Sequence, residues 1–221
     1  MPVTLINGFV LFSHPADWSE APAWSRAWET GMAASITGAE QRNAMRNLPR
    51  VKLSYLISAL SLEERAVLDE RLDAASKSGL ACCPFIGRGS VLAAGANANA
   101  AVLTENSWGW QPGDFVFLQT PNAPQSAYLN FDAIEVTAVN GLTLTLAGNV
   151  SRNYPAGSLT WPLLFGKFAM EEQTANTSWH GDVKITVSEL TPRGAQALGN
   201  VPAAPGPGVG GWKVATTLVI Q

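Results

Sequence analysis

Apolar and polar positions alternate with a period of two along most of the chain, and one stretch only takes a helical period. Trp28, Thr30, Met32, Ala34 and Ile36 alternate with Glu29, Gly31, Ala33, Ser35 and Thr37. Further on, Val51, Leu53, Tyr55 and Ile57 alternate with Lys52, Ser54 and Ser58, with Leu56 the one break. Alternation sets one row of side chains against a core and the other toward solvent or a partner, so both runs are predicted as strands. Between them, Gly38 to Arg50 carries Glu40, Gln41, Arg42, Arg46 and Arg50 and is expected to be a charged loop. The helix follows, over 61–78. Ser61 can accept from the amide of Glu64, and Glu64 can reach back to Ser61, a capping box. Leu68, Leu72 and Ala75 then form a narrow apolar stripe, Asp73 stands four residues before Lys77, and Gly79 supplies a left-handed stop.

The flanks are read in the same way. Val3 to Phe12 is a short apolar opening, a strand or a buried extended arm. Pro15 and Pro22 forbid a regular helix after it. Trp18, Trp24 and Trp28 fall close together; they could stack on sugars, but anchoring to the core or to a neighbouring subunit is the preferred reading. Leu80 to Phe85 reads as a buried strand, and Ala93 to Ala101 as an Ala/Gly/Asn junction. From there the pattern is all β. Ile134, Val136 and Ala138 lead to Asn140-Gly141, predicted as a type I′ turn, and Leu142, Leu144 and Leu146 return. Residues 90–166 are therefore expected to form a small antiparallel barrel or sandwich inserted into an outer unit of 1–89 plus 167–221. Val183, Ile185 and Val187 resume the earlier strand style and are expected to pair with the strands before the helix. Residues 191–211 hold four prolines and six glycines and read as a flexible arm. Trp212 to Ile220 is predicted as one more strand.

Composition narrows the function. Of 221 residues 47% are hydrophobic, which excludes disorder as the default, and 14% are charged, against about 25% in an average globular protein. So bland a surface suits a subunit whose faces are covered by neighbours. With 14 basic and 17 acidic residues there is no basic footprint for nucleic acid. Cys82 and Cys83 are adjacent, a poor geometry for a bridge, and read as buried thiols. No apolar run approaches the ~20 residues of a membrane span. The N-terminus lacks the basic start of a signal peptide, so a soluble protein made in the cytoplasm is expected.

Candidate chemistry is sparse. Gly206 to Gly211 lacks the strand-to-helix setting and the Lys-Ser/Thr of a phosphate loop. Two adjacent cysteines and two distant histidines supply no zinc spacing, and no metal or cofactor is expected. His180 with Asp182, and Glu171 with Glu172, lack a partnered nucleophile or an opposed carboxylate, so the chain is not expected to be an enzyme. The cluster Glu40, Arg42, Arg46 and Arg50 is the exception in a chain short of charge. It reads either as a subunit interface, arginine forks meeting a neighbour's carboxylates, or as a solvated hairpin tip. Trp108, Trp110, Tyr128 and Trp161 are the candidate ligand-facing aromatics for a second reading, a carbohydrate- or receptor-binding module.

Three runs carry a family resemblance: Trp28-Glu29-Thr30, then Ser35 to Arg42 (Ser-Ile-Thr-Gly-Ala-Glu-Gln-Arg), then Leu48-Pro49-Arg50-Val51-Lys52-Leu53. They resemble a pattern of distal-tail and minor-tail proteins of long-tailed bacteriophages and gene transfer agents, where a Trp-x-Thr strand leads to a Gly-x-Glu-x-Arg turn, a basic strand and a helix of this length. The likeness spans roughly residues 18 to 90 and, more faintly, 160 to 190. It implies a structural virion protein with a tube-type β-sandwich flanked by one helix. It also implies assembly with itself into a sixfold or threefold ring that joins the tail tube to other tail-tip or baseplate proteins.

Overall fold

A computed structural model describes residues 3–17, 19–27, 30–34, 40–44, 49–59, 61–97, 101–106, 109–120, 130–175 and 181–190. The chain opens with β1 (Leu5–Ile6), β2 (Phe9–Leu11) and β3 (Ala23–Ala27), then β4 (Thr30–Ala34), β5 (Glu40–Ala44) and β6 (Arg50–Ala59). Helix α1 (Leu62–Ser78) and β7 (Leu80–Pro84) follow. Short strands β8 (Ser90–Val91), β9 (Ala96–Asn97) and β10 (Ala101–Leu103) precede β11 (Phe115–Gln119), β12 (Phe131–Asn140), β13 (Thr143–Leu146) and β14 (Asn153–Tyr154). The long β15 (Leu159–Ala175) and β16 (Gly181–Glu189) complete the set. The protein is mainly β with a single helix among the described residues, as the alternation predicts.

Strand β15 holds the sheet together. Its first residues pair with β11 (Val116↔Pro162), its middle with β7 (Phe165↔Cys82), and its last half with β16 (Phe168↔Val187). Twelve strands join in this way, in the order β1-β2-β7-β15-β11-β12-β13-β10, with β16 linking β15 to β6, β3 outside β6, and β8 beside the start of β15. The β2–β7 pair is parallel. The expected pairing of Val183 to Val187 with the strand before the helix is present, Ile185 facing Tyr55. β15 runs unbroken through residue 166, where the sequence suggested a boundary.

Alternation along these strands sorts apolar side chains into three clusters. Beneath α1, Leu53, Tyr55 and Ile57 of β6 and Val183, Ile185 and Val187 of β16 pack on Leu68, Leu72 and Ala75. A second core gathers Val116 and Leu118 of β11, Val136, Leu144, Trp110 and Tyr154. A third cluster lies on the other row of the same strands: Leu11, Cys82, Phe117 and Leu163, flanked by Phe9, Phe115, Phe131, Trp161 and Phe165. Phe115 and Phe117 alternate with Val116 and Leu118, so β11 is apolar on both faces.

Helix α1 forms for the predicted reasons. Ser61 Oγ accepts from Glu64 N at 3.1 Å, and Gly79, at φ 68°, donates to Ala75 O at 2.8 Å. The Lys77–Asp73 pair closes at 2.6 Å. Arg71, 4% exposed, was not anticipated. It donates to Ser13 Oγ at 2.7 Å and lies 3.2 Å from His14 Nδ1, fastening the extended segment after β2 to the helix. Burial, helped by Arg71, lowers the His14 pKa from 6.5 to about 3.

Two turns differ from expectation. In the β12–β13 hairpin Asn140 pairs with Thr143, so the turn residues are Gly141-Leu142. Among them only Gly141 has a positive φ, the glycine-first II′ pattern rather than I′. The I′ pattern occurs instead at Asn7-Gly8, with φ 51° and 83°, joining β1 to β2. Cys82 and Cys83 are free, buried, and belong to the third and first clusters respectively; burial pushes the Cys83 thiol up to about 12.

Candidate functional site

Of the segment expected to be a charged loop, residues 40–44 form a strand, while 38, 39 and 45–48 lie outside the described residues. Glu40 and Arg42 lie in β5, which pairs with β4 in the register Ala34↔Glu40 and Met32↔Arg42. They occupy alternate positions of that strand. Polar residues such as these have low strand propensity, and the cross-strand register overrides it. Arg46 lies outside the described residues. Arg50 opens β6 opposite Ala27 and is half-buried, with its Nε removed from solvent and without a hydrogen-bond partner. In sequence, β4 follows β3 and β5 precedes β6; β4 and β5 form a two-stranded ribbon of their own. Among the described residues that ribbon pairs with no other strand.

The edge strand β3 is also open: among the described residues it pairs with β6 alone, and it is exposed along its whole length. Trp24, 48% exposed, lies nearly perpendicular to Phe85 with ring centroids 6.1 Å apart, and Arg26 lies over the indole at 5.5 Å. Arg88 lies 5.8 Å over the Phe85 ring. Trp24 thus meets the first core through Phe85 while remaining half-exposed. Trp18 and Trp28 lie outside the described residues.

The outer face of β6, β16 and β15 is polar. Glu171 accepts from Thr186 and from Ser54 Oγ at 3.4 Å, and lies 3.5 Å from Lys52 Nζ. The Thr186 hydrogen bond, with smaller help from Lys52 and Lys184, lowers its pKa. A carboxyl held ionised in this way is the opposite of a general acid, whose pKa must be raised. Asp182 accepts from Ser58 Oγ at 2.6 Å, and Ser58 also contacts Asp17; His180 lies outside the described residues. No group of His, Cys, Asp and Glu among the described residues could hold a metal ion. No helix of the described residues is long and apolar enough to cross a membrane.

Of the candidate aromatics, Trp110 and Trp161 are described, and they lie in different clusters. Trp110, 5% exposed, is part of the second core. Trp161 belongs to the third cluster, stacked on Phe117 at 6.3 Å and packed so closely on Gly89 that a Cβ there would strike the indole. Packing takes up both rings. Trp108 and Tyr128 lie outside the described residues. The sequence reading missed the half-exposed Trp24 edge and the aromatic third cluster; the apolar run Phe115 to Leu118 was the available signal for the latter.

No protein-family model matches the chain, and a search of curated proteins finds no match to it.

Proposed function

We propose that this protein is a structural subunit of a bacteriophage tail tip, forming a ring with copies of itself between the tail tube and the distal tail or baseplate. One observation carries the reading: the β4–β5 ribbon, with Glu40 and Arg42 in its second strand, pairs with nothing else among the described residues. A lone two-stranded hairpin is marginal in water, so pairing or packing with a neighbouring subunit is the stabilisation this reading assigns to it. The open edge of β3 and the low charge content agree with this, as does the resemblance to tail proteins. In this reading the cluster under α1 is the core of a tube-type β-sandwich, residues 1–89 plus 167–221. The second core then belongs to an inserted small antiparallel barrel, residues 90–166, carrying peripheral contacts. No catalytic step and no cofactor is involved, and the location is the virion tail.

The test separates monomer stability from assembly. A charge buried in an interface costs about 2–5 kcal/mol when its partner is lost, whereas an exposed one is worth about 0–1 kcal/mol. Arg42→Ala is expected to leave the melting temperature of the isolated subunit unchanged and to abolish ring formation. Normal assembly of the variant would remove the ribbon from the interface and leave this reading without its support.

A further inference from the structure

We propose that β3 is a self-pairing edge: two copies of the chain join their β3 strands antiparallel, about a twofold axis at Ser25. Ala23, Trp24, Ser25, Arg26 and Ala27 are all exposed, and among the described residues their backbone pairs with β6 and with no other strand. The register with β6 runs without a shift from Ala23↔Ser54 to Ala27↔Arg50, so no bulge turns the edge away. The other ends of the same sheet are shorter: β1 and β8 have two residues each and β10 has three. Sheet edges are ordinarily blunted by brevity, proline, bulges or charged side chains, because their free N–H and C=O groups are a template for another strand. β3 holds no proline and one charge, Arg26, whose guanidinium lies over the Trp24 indole at 5.5 Å.

The order of residues selects the occupant. β3 reads Ala-Trp-Ser-Arg-Ala, and an antiparallel copy centred on Ser25 sets Ser25 opposite Ser25, Ala23 opposite Ala27, and Trp24 opposite Arg26 of the second copy. By symmetry the Trp24–Arg26 pair forms twice. Cation over indole is an attractive cross-strand pair, and no like charges stand directly opposite. On the other face Ala23, Ser25 and Ala27 are small and leave the strands free to approach. The neighbouring registers fail: centring on Arg26 sets two guanidinium groups against each other, and centring on Trp24 sets Arg26 opposite Pro22, which has no N–H to pair. With the axis at Ser25, whichever alternate residues turn their amides outward in one copy meet outward amides in the other, so the hydrogen bonds are in phase. The contact is isologous, the same patch on both copies. Five residues a side fall well short of the about 20 a side of a stable interface, so the pair forms in concentrated protein and separates on dilution. It uses β3 and not the β4–β5 ribbon, so it stands apart from the ring proposed above.

The experiment uses the full chain carrying Ser25→Cys, Ala23→Cys or Ala27→Cys, each held at high concentration with a thiol-bridging reagent a few ångströms long. Cys82 and Cys83 are buried, and the parent protein serves as the blank. Covalent dimer is followed on denaturing gels. Ser25→Cys alone, and an equal mixture of Ala23→Cys with Ala27→Cys, are expected to dimerise several-fold faster than Ala23→Cys alone or Ala27→Cys alone, whose thiols lie about 13 Å from their own counterparts in this register. Equal rates for all of these would mean random collision and overturn the proposal, as would a Ser25→Cys protein that stays monomeric. The same ratios are expected with Arg42→Ala added to each variant, since the ribbon takes no part. Loss of the Ser25→Cys dimer in that background would make the contact a product of the ring and overturn the independent twofold pair. Arg26→Ala is expected to slow the Ser25→Cys reaction several-fold and Arg26→Lys to restore most of the rate; an unchanged rate with Arg26→Ala would also overturn the register.

Discussion

Gly166 is a point where two backbones approach closely, and Gly166→Ala is the perturbation that tests the shared strand most sharply. It pairs with Ala81 of β7 on one side and with Glu189 of β16 on the other. A Cβ at Gly166 would stand 2.5 Å from the carbonyl carbon of Ser188 and 2.9 Å from Val187 Cγ1, closer still to the Ser188 oxygen. Carbon atoms pack at about 3.5–4.0 Å, so β16 must move back by about 1 Å, and the obstacle is backbone that no rotamer change relieves. Overpacking of this kind costs about 1–3 kcal/mol, and each ladder hydrogen bond stretched at the seam adds about 1 kcal/mol. A loss of about 3 kcal/mol is expected, or about 6–12 °C in melting temperature for a chain of this size. Gly148→Ala is the control: nothing lies within 4 Å of its Cβ, and it should melt within about 2 °C of the parent. Melting followed by circular dichroism decides the matter. A Gly166→Ala protein that melts with the parent would refute the close approach of β15 and β16, and with it the account of β15 as the common strand.

Two further perturbations act on α1 and its contacts. His14 is neutral in the fold, its pKa lowered from 6.5 to about 3, so the unfolded chain binds a proton that the folded chain does not, and stability present above pH 6.5 is lost as the pH falls. Between pH 7 and pH 5 the loss is about 2 kcal/mol; His14→Gln should flatten the melting temperature across that interval, and an unchanged slope would remove His14 as its source. Ser61→Ala deletes the side-chain acceptor for Glu64 N and should lower the unfolding free energy by about 1 kcal/mol in urea titration, with no change in midpoint arguing against the cap.

What the sequence reveals of this protein depends on how local the deciding force is. Helix α1 is legible from end to end because its cap, stripe, ion pair and stop all act within a few residues of each other. β6 and β16 are legible because one face of each is buried and the other is wet. β5 is not, since Glu40-Gln41-Arg42-Asn43 lacks any strand preference and only the pairing with β4 makes it extended. The length of β15 is likewise set by partners: past Phe168 its residues lose alternation, and the strand persists because β16 pairs with it across a register shift between Met170 and Glu172. Arg71 and Glu64 are buried residues of α1, although both are charged side chains. The charged cluster was visible as a peculiarity of composition, and its nature as a ribbon was not.

As proposed above, the chain is a ring subunit that meets its neighbours through the β4–β5 ribbon. Mass photometry of the purified full-length protein, with negative-stain class averages of the same sample, tests it most directly. The account predicts closed particles of threefold or sixfold symmetry for the parent and a single 23.4 kDa species for Arg42→Ala. A 23.4 kDa monomer for both proteins, with no symmetric particles at any concentration, would contradict it.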